Sequence, residues 1–110
     1  MAMTKEELSK MIGNGWESFR KGDSKSALET FRKVLNDDND NVDAHYGVGL
    51  ALRASNDKTN AKSSFETALR IAERELAAIR KGERANDLTT TRDDRYMMLI
   101  RMLGQRIAEV

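Results

Sequence analysis

The 110-residue chain has no cysteine, no proline and a single histidine. Without cysteine there is no disulfide framework, no thiolate metal site and no cysteine nucleophile, and one imidazole cannot build a histidine cluster. Without proline, the main breaker of helix interiors is missing. Charge of one sign is scarce too: nineteen Lys plus Arg against eighteen Asp plus Glu leave +1, so no net field draws the chain to nucleic acid. The longest apolar run is the five residues from Tyr96 to Ile100, far short of a membrane span, and no basic, apolar and small-residue zones of a signal peptide are seen. These absences predict a soluble, cytoplasmic, non-enzymatic protein with no catalytic residues, no cofactor, no metal, and neither a nucleic-acid nor a membrane partner. What is abundant is mixed charge, 34% of residues, beside an apolar fraction of 39%. That balance suits one small globular unit coated by charged helix surfaces.

The chain matches itself when shifted by 34 residues. Gly13 and Gly15 recur as Gly47 and Gly49, Asp23 as Asp57, Ala27 as Ala61, Phe31 as Phe65 and Leu35 as Leu69, while Val34 is answered by Ala68. Within each unit the apolar residues keep helical spacing: Ala27, Leu28, Phe31, Val34 and Leu35, then Ala61, Phe65, Ala68, Leu69 and Ala72.

Punctuation divides the chain into five helices. Thr4 with Glu7 is a capping-box pattern opening a helix from about Lys5 to Lys21, and Gly22 is placed to end it in a left-handed conformation. Asp23 caps a second helix to about Asn36, and Asn41 or Asp40 caps a third to about Ala54. After the turn Ser55-Asn56-Asp57, a fourth runs unbroken from about Thr59 to near Lys81, with Gly82 as the first candidate stop. Residues 83–91 read as a linker, and Thr91 with Asp94 as the cap of a last helix over 92–110. That helix carries Tyr96, Ile100, Leu103, Ile107 and Val110 at four-three spacing, and the fourth carries Phe65, Leu69, Ala72, Leu76 and Ile79. Antiparallel packing of the two stripes closes the open end of the stack.

The spacing resembles the tetratricopeptide repeat, a 34-residue helix-turn-helix unit with small residues at its eighth, twentieth and twenty-seventh positions and an aromatic at the twenty-fourth. Here the eighth positions are Gly15 and Gly49, the twentieth Ala27 and Ala61, and the twenty-fourth Phe31 and Phe65. Both units lack the closing proline, and Met11 and His45 replace the large apolar residue usual at the fourth position. The resemblance implies an all-α, right-handed α-α superhelix in a single domain over 1–110. Its parts are a repeat at 8–41, a second at 42–82 with an extended second helix, the linker, and a capping helix or half repeat anchored on Gly104.

It also implies a concave groove that binds a peptide or helix of a partner protein. The matching positions are Ile12, Trp16, Arg20, Tyr46, Leu50 and Arg53, with Met98, Arg101, Met102 and Gln105 from the last helix. The Lys, Asn and Arg clamp by which some relatives grip a C-terminal carboxylate is replaced by Ile12, Trp16, Gly47, Met98 and Met102. An aromatic and methionine-rich floor suits burial of apolar side chains, with arginines at the edge for carboxylates. The alternative is a homodimer, or larger homo-oligomer, that buries the same surface.

Several residues carry two readings. Trp16 and Tyr46 serve either as groove or as core between repeats, and Met97 as plain surface. Gly13 and Gly47 allow a close approach, by the chain itself or by a ligand. The alternating Asp37, Asn39 and Asn41, with Asp38, Asp40 and Asp43, open like a calcium loop, but Val42 stands where its glycine belongs and Val48 where its bidentate glutamate belongs. A solvated loop with capping carboxylates is the expectation there. His45 has no nucleophile in pattern with it and reads as a packing histidine. Arg70, Arg74, Arg80 and Arg84 alternate with Glu66, Glu73, Glu75 and Glu83, as in exposed ion pairs rather than an RNA face.

Overall fold

Capping chemistry sets the helix boundaries in the computed structural model, which describes residues 2–81 and 89–110. Five helices occur among these residues, and no strand: α1 (Lys5–Arg20), α2 (Ser24–Asp37), α3 (Val42–Ala54), α4 (Lys58–Arg80) and α5 (Thr89–Glu109). The capping box at α1 is reciprocal, since the Glu7 amide donates to Thr4 Oγ1 at 3.1 Å and the Thr4 amide to Glu7 Oε1 at 2.9 Å. Asp23, Asn41 and Asp57 each accept an amide three residues on, from Ser26, Ala44 and Asn60.

The two inter-helix turns are copies of each other. Gly22, at φ 85°, donates to the Phe19 carbonyl while Asp23 donates to that of Ser18. Asn56, at φ 69°, donates to the Arg53 carbonyl while Asp57 donates to that of Leu52. Both are Schellman closures, and asparagine takes the left-handed position in the second because its short polar side chain tolerates it better than most.

Consecutive helices pack on one another, and α1 also touches α3. At the two ends of α3, Asp43 pairs with Arg95 of α5 at 2.7 Å and Arg53 with Glu109 at 2.9 Å. The start of α5 therefore lies by the start of α3 and its end by the end of α3, so α5 runs parallel to α3 and antiparallel to α4. The core lies between the two helix layers, where Phe31, Phe65, Leu103 and Val34 are fully buried. Small residues admit the phenylalanines. A Cβ on Gly15 would stand 2.7 Å from the Phe31 ring, one on Gly47 2.5 Å from that same ring, and one on Gly49 2.4 Å from Phe65. Each aromatic is a wedge that only glycine leaves room for.

Three expectations change. The last helix starts at Thr89, so Thr90 and Thr91 lie inside it rather than in a linker or at a cap. Threonine costs a helix only about 0.5 kcal/mol per residue, so the triplet lacks a true stop. Residues 83–88 of the expected linker, and Gly82, lie outside the described residues. In α5, Leu99 and Leu103 form the buried centre, while Tyr96, Ile100, Ile107 and Val110 are half-buried flanks. Four-three spacing found Leu103 but otherwise selected the edge of the face, because its centre repeats at four residues here. Finally, Gly13 has open space around it and makes no close approach, unlike Gly47. The unbroken α4 holds: Ile71, Ala72, Leu76, Ala78 and Ile79 are all buried, which continues its apolar face well past the length of α2.

Candidate peptide groove

The repeat places α1, α3 and α5 in one layer, and the side chains expected to line the groove are distributed over all three. Trp16 is half-buried and packs edge-on against Phe31, with centroids 4.9 Å apart, against Tyr46 at 6.1 Å and against Phe19 at 6.4 Å. Tyr46 is 9% exposed and meets Phe65 edge-on at 5.9 Å. The aromatic ladder Trp16, Tyr46, Phe65 thus links α1, α3 and α4, each pair in the edge-to-face arrangement that ring quadrupoles favour. Ile12, Leu50 and Met102 are half-buried against the core, whereas Met98 is 56% exposed and Arg101 and Gln105 are exposed.

The arginines differ in what holds them. Arg20 donates to Glu17 at 3.0 Å on its own helix. That hydrogen bond, helped by the charge of Lys21, holds the Glu17 carboxyl below its usual range. Arg53 is half-buried and reaches Glu109 on α5, so it ties the groove layer together. The structure therefore brings together Trp16 with Tyr46, and Arg53 with α5, while Arg20 keeps a local partner.

Sequence reasoning passed over Arg95 and Glu109, and read Asp43 only as part of the acidic loop. No spacing could have revealed them, since Asp43 and Arg95 are 52 residues apart and Arg53 and Glu109 are 56 apart. Arg95 also lies 5.4 Å from the centre of the Tyr96 ring.

The acidic loop is occupied with structural work. Asn41 caps α3 and donates from its side chain to Asp38, Asp40 pairs with Arg74 at 3.0 Å, and Asp43 pairs with Arg95. An open polar cavity of about 520 Å³ runs between these pairs, with Lys5, Glu75 and Tyr96 also on its walls. Among the described residues no group of three or more carboxylate, imidazole or thiol side chains is arranged to hold a metal ion. His45 is half-buried, and its Nε2 donates to the Asn39 carbonyl at 2.7 Å, which fastens the loop to α3. Among the described residues no helix is long and apolar enough to cross a membrane.

Residues 42–75 match the family model of the tetratricopeptide repeat. The match spans α3 and most of α4, the hairpin in which Gly49 receives Phe65. Together with the all-helical stack, the match supports a protein of tetratricopeptide-repeat type, with one repeat detected, over residues 42–75. The α1–α2 hairpin reproduces the same glycine–phenylalanine wedge and the same Schellman turn one repeat earlier. Comparisons with curated proteins and with solved structures returned no match.

Proposed function

We propose that the protein is a non-enzymatic interaction module whose α1–α3–α5 layer binds an apolar peptide or helix of another protein. A tetratricopeptide repeat suggests protein–protein interaction in general. The observation that supports this particular chemistry is Trp16: a tryptophan half-buried on an aromatic ladder, with the rest of its surface left to solvent. Large aromatics held rigid on one face and open on the other are the usual anchors of binding energy. Arg20 and Arg101 at the rim supply charge for carboxylates flanking an apolar anchor.

Trp16 is the only tryptophan, so its emission reports directly on this surface. A selected apolar peptide should shift that emission on binding, with an affinity nearly equal at low and moderate salt and indifferent to amidation of the peptide C-terminus. Binding lost on amidation, or an unchanged emission at saturation, would show that the site or its chemistry is misplaced.

A second reading, a homodimer through the same layer, is favoured by one observation, the 56% exposure of Met98. Sedimentation across a dilution series separates the two readings, since a dimer that survives dilution and is lost in Met98→Glu assigns the surface to self-association.

A further inference from the structure

The repeat register exposes a second surface, on the opposite side of α5 from Met98. Gly15 and Gly49 are each covered by a phenylalanine from the helix that follows, Phe31 and Phe65. Gly104 stands at the equivalent register of α5, and a Cβ built on it meets nothing within 4 Å. Its neighbours at helical spacing tell the same story: Val42 and Leu52 flank Gly49 on α3 and are 7% exposed, whereas Met97, the counterpart of Val42, is 41% exposed on α5. Ile100 and Ile107 on that side are half-buried. The second wall is supplied by α4, where Glu73, Leu76, Ala77 and Arg80 recur on one face and border, with Lys81 and Ile100, an open cavity of about 430 Å³.

We propose that this furrow between α4 and α5 is a docking seat for an amphipathic helix of a partner protein that presents an aromatic side chain to Gly104 and carboxylates beside it. The geometry is the chain's own: twice in this fold a helix lays a phenylalanine onto the glycine at this register. The charge comes from the rim. Arg101 shares the Met97–Gly104 face by spacing, and Lys81 borders the α4 side, while Glu73 is the one carboxylate among the residues lining the cavity. A second copy of this chain is a poor occupant, because its phenylalanines of the matching register, Phe31 and Phe65, are fully buried in their own repeats.

The test uses the full chain and a helix-stabilised synthetic peptide spanning Ser24–Asp37, the segment that covers Gly15, with Arg32→Glu and Lys33→Glu introduced to make it acidic. Amide chemical shifts should move at Met97, Ile100 and Gly104 and stay fixed at Gly15 and Trp16. Affinity should fall at least tenfold for the Phe31→Ala peptide, for protein Gly104→Leu, and for the parent peptide with its basic pair restored. Gly104 has open space around it, so Gly104→Leu should fold with an unchanged or higher melting temperature, and Lys81→Glu provides a second, charge-only variant with the same expected loss. Met98→Glu, on the groove side, should leave this titration unaltered, which separates failure here from failure of the groove reading. Absence of saturable binding, shifts confined to Gly15 or Trp16, indifference to Gly104→Leu, or a concentration-dependent dimer abolished by Gly104→Leu would each overturn the proposal.

Discussion

The same substitution, glycine to alanine, should have opposite signs at two positions of this chain. In a helix interior alanine is favoured over glycine by about 1 kcal/mol, because glycine loses more backbone entropy on folding. At Gly13 nothing lies within 4 Å of the new Cβ, so Gly13→Ala should raise stability by about that amount. At Gly47 the new Cβ would lie 2.5 Å from both Cε2 and Cζ of Phe31. The ring cannot retreat, because Gly15 holds its other side, where a Cβ would stand only 2.7 Å from Cε1, and the residue is fully buried. Overpacking of this kind costs about 1–3 kcal/mol, and a ring confined on both sides belongs at the upper end. Set against the helical gain, Gly47→Ala should lose about 1–2 kcal/mol net, a fall in melting temperature of about 5–10 °C. Denaturant melts of wild type, both single variants and Gly47→Ala with Phe31→Leu measure it, since the smaller leucine should recover part of the loss through positive coupling. A Gly47→Ala protein as stable as wild type, or a Gly13→Ala protein that loses stability, would refute the wedge.

Leu103→Ala should cost about 2–5 kcal/mol in a chemical melt, because Leu103 is fully buried at the centre of the α5 face, and a loss under about 1 kcal/mol would mean that α5 is not integral to the fold. Asn56→Gly should gain up to about 1 kcal/mol by relieving the left-handed conformation, and thermal melts that show a loss would contradict the Schellman description. A double-mutant cycle on Arg53 and Glu109 should return about 0.2–1 kcal/mol that shrinks with added salt, since both side chains keep substantial exposure, at 32% and 42%.

The helix ends of the first four helices were legible because they are written in single residues: Thr4 with Glu7, Asp23, Asn41 and Asp57 each make the cap that their type and position imply. The repeat was legible because a wedge needs two residue types at a fixed distance, Gly15 with Phe31 and Gly49 with Phe65. The start of α5 was not, since threonine serves both as a cap and, at small cost, inside a helix, so three in a row single out no one position; and the centre of its face at Leu99 was hidden inside the apolar run Tyr96 to Ile100, where periodicity has no polar residue to set its phase. Of the candidate groove, the placing of Trp16 beside Tyr46 was readable from their repeat positions but the ties between helices were not. Arg53 to Glu109 and Asp43 to Arg95 depend on how α5 lies along α3, which is decided by tertiary packing.

The core reading of Trp16 holds for one side of the ring, and the proposed groove would use the side left to solvent. Its edge contacts with Phe31 and Tyr46 join the first repeat to the second, and Phe31 is itself confined by Gly15 and Gly47. A ligand that covers the open part of Trp16 therefore rests on the residue through which α1, α2 and α3 are held in register. Binding there acts only on the folded stack, so it raises the free energy of unfolding by RT ln(1 + [L]/Kd), about 2.7 kcal/mol at a hundredfold excess over Kd. Under the proposed groove reading, the ring that would meet a partner is the ring that joins α1 to α2 and α3, so stability and recognition would be measured at one residue.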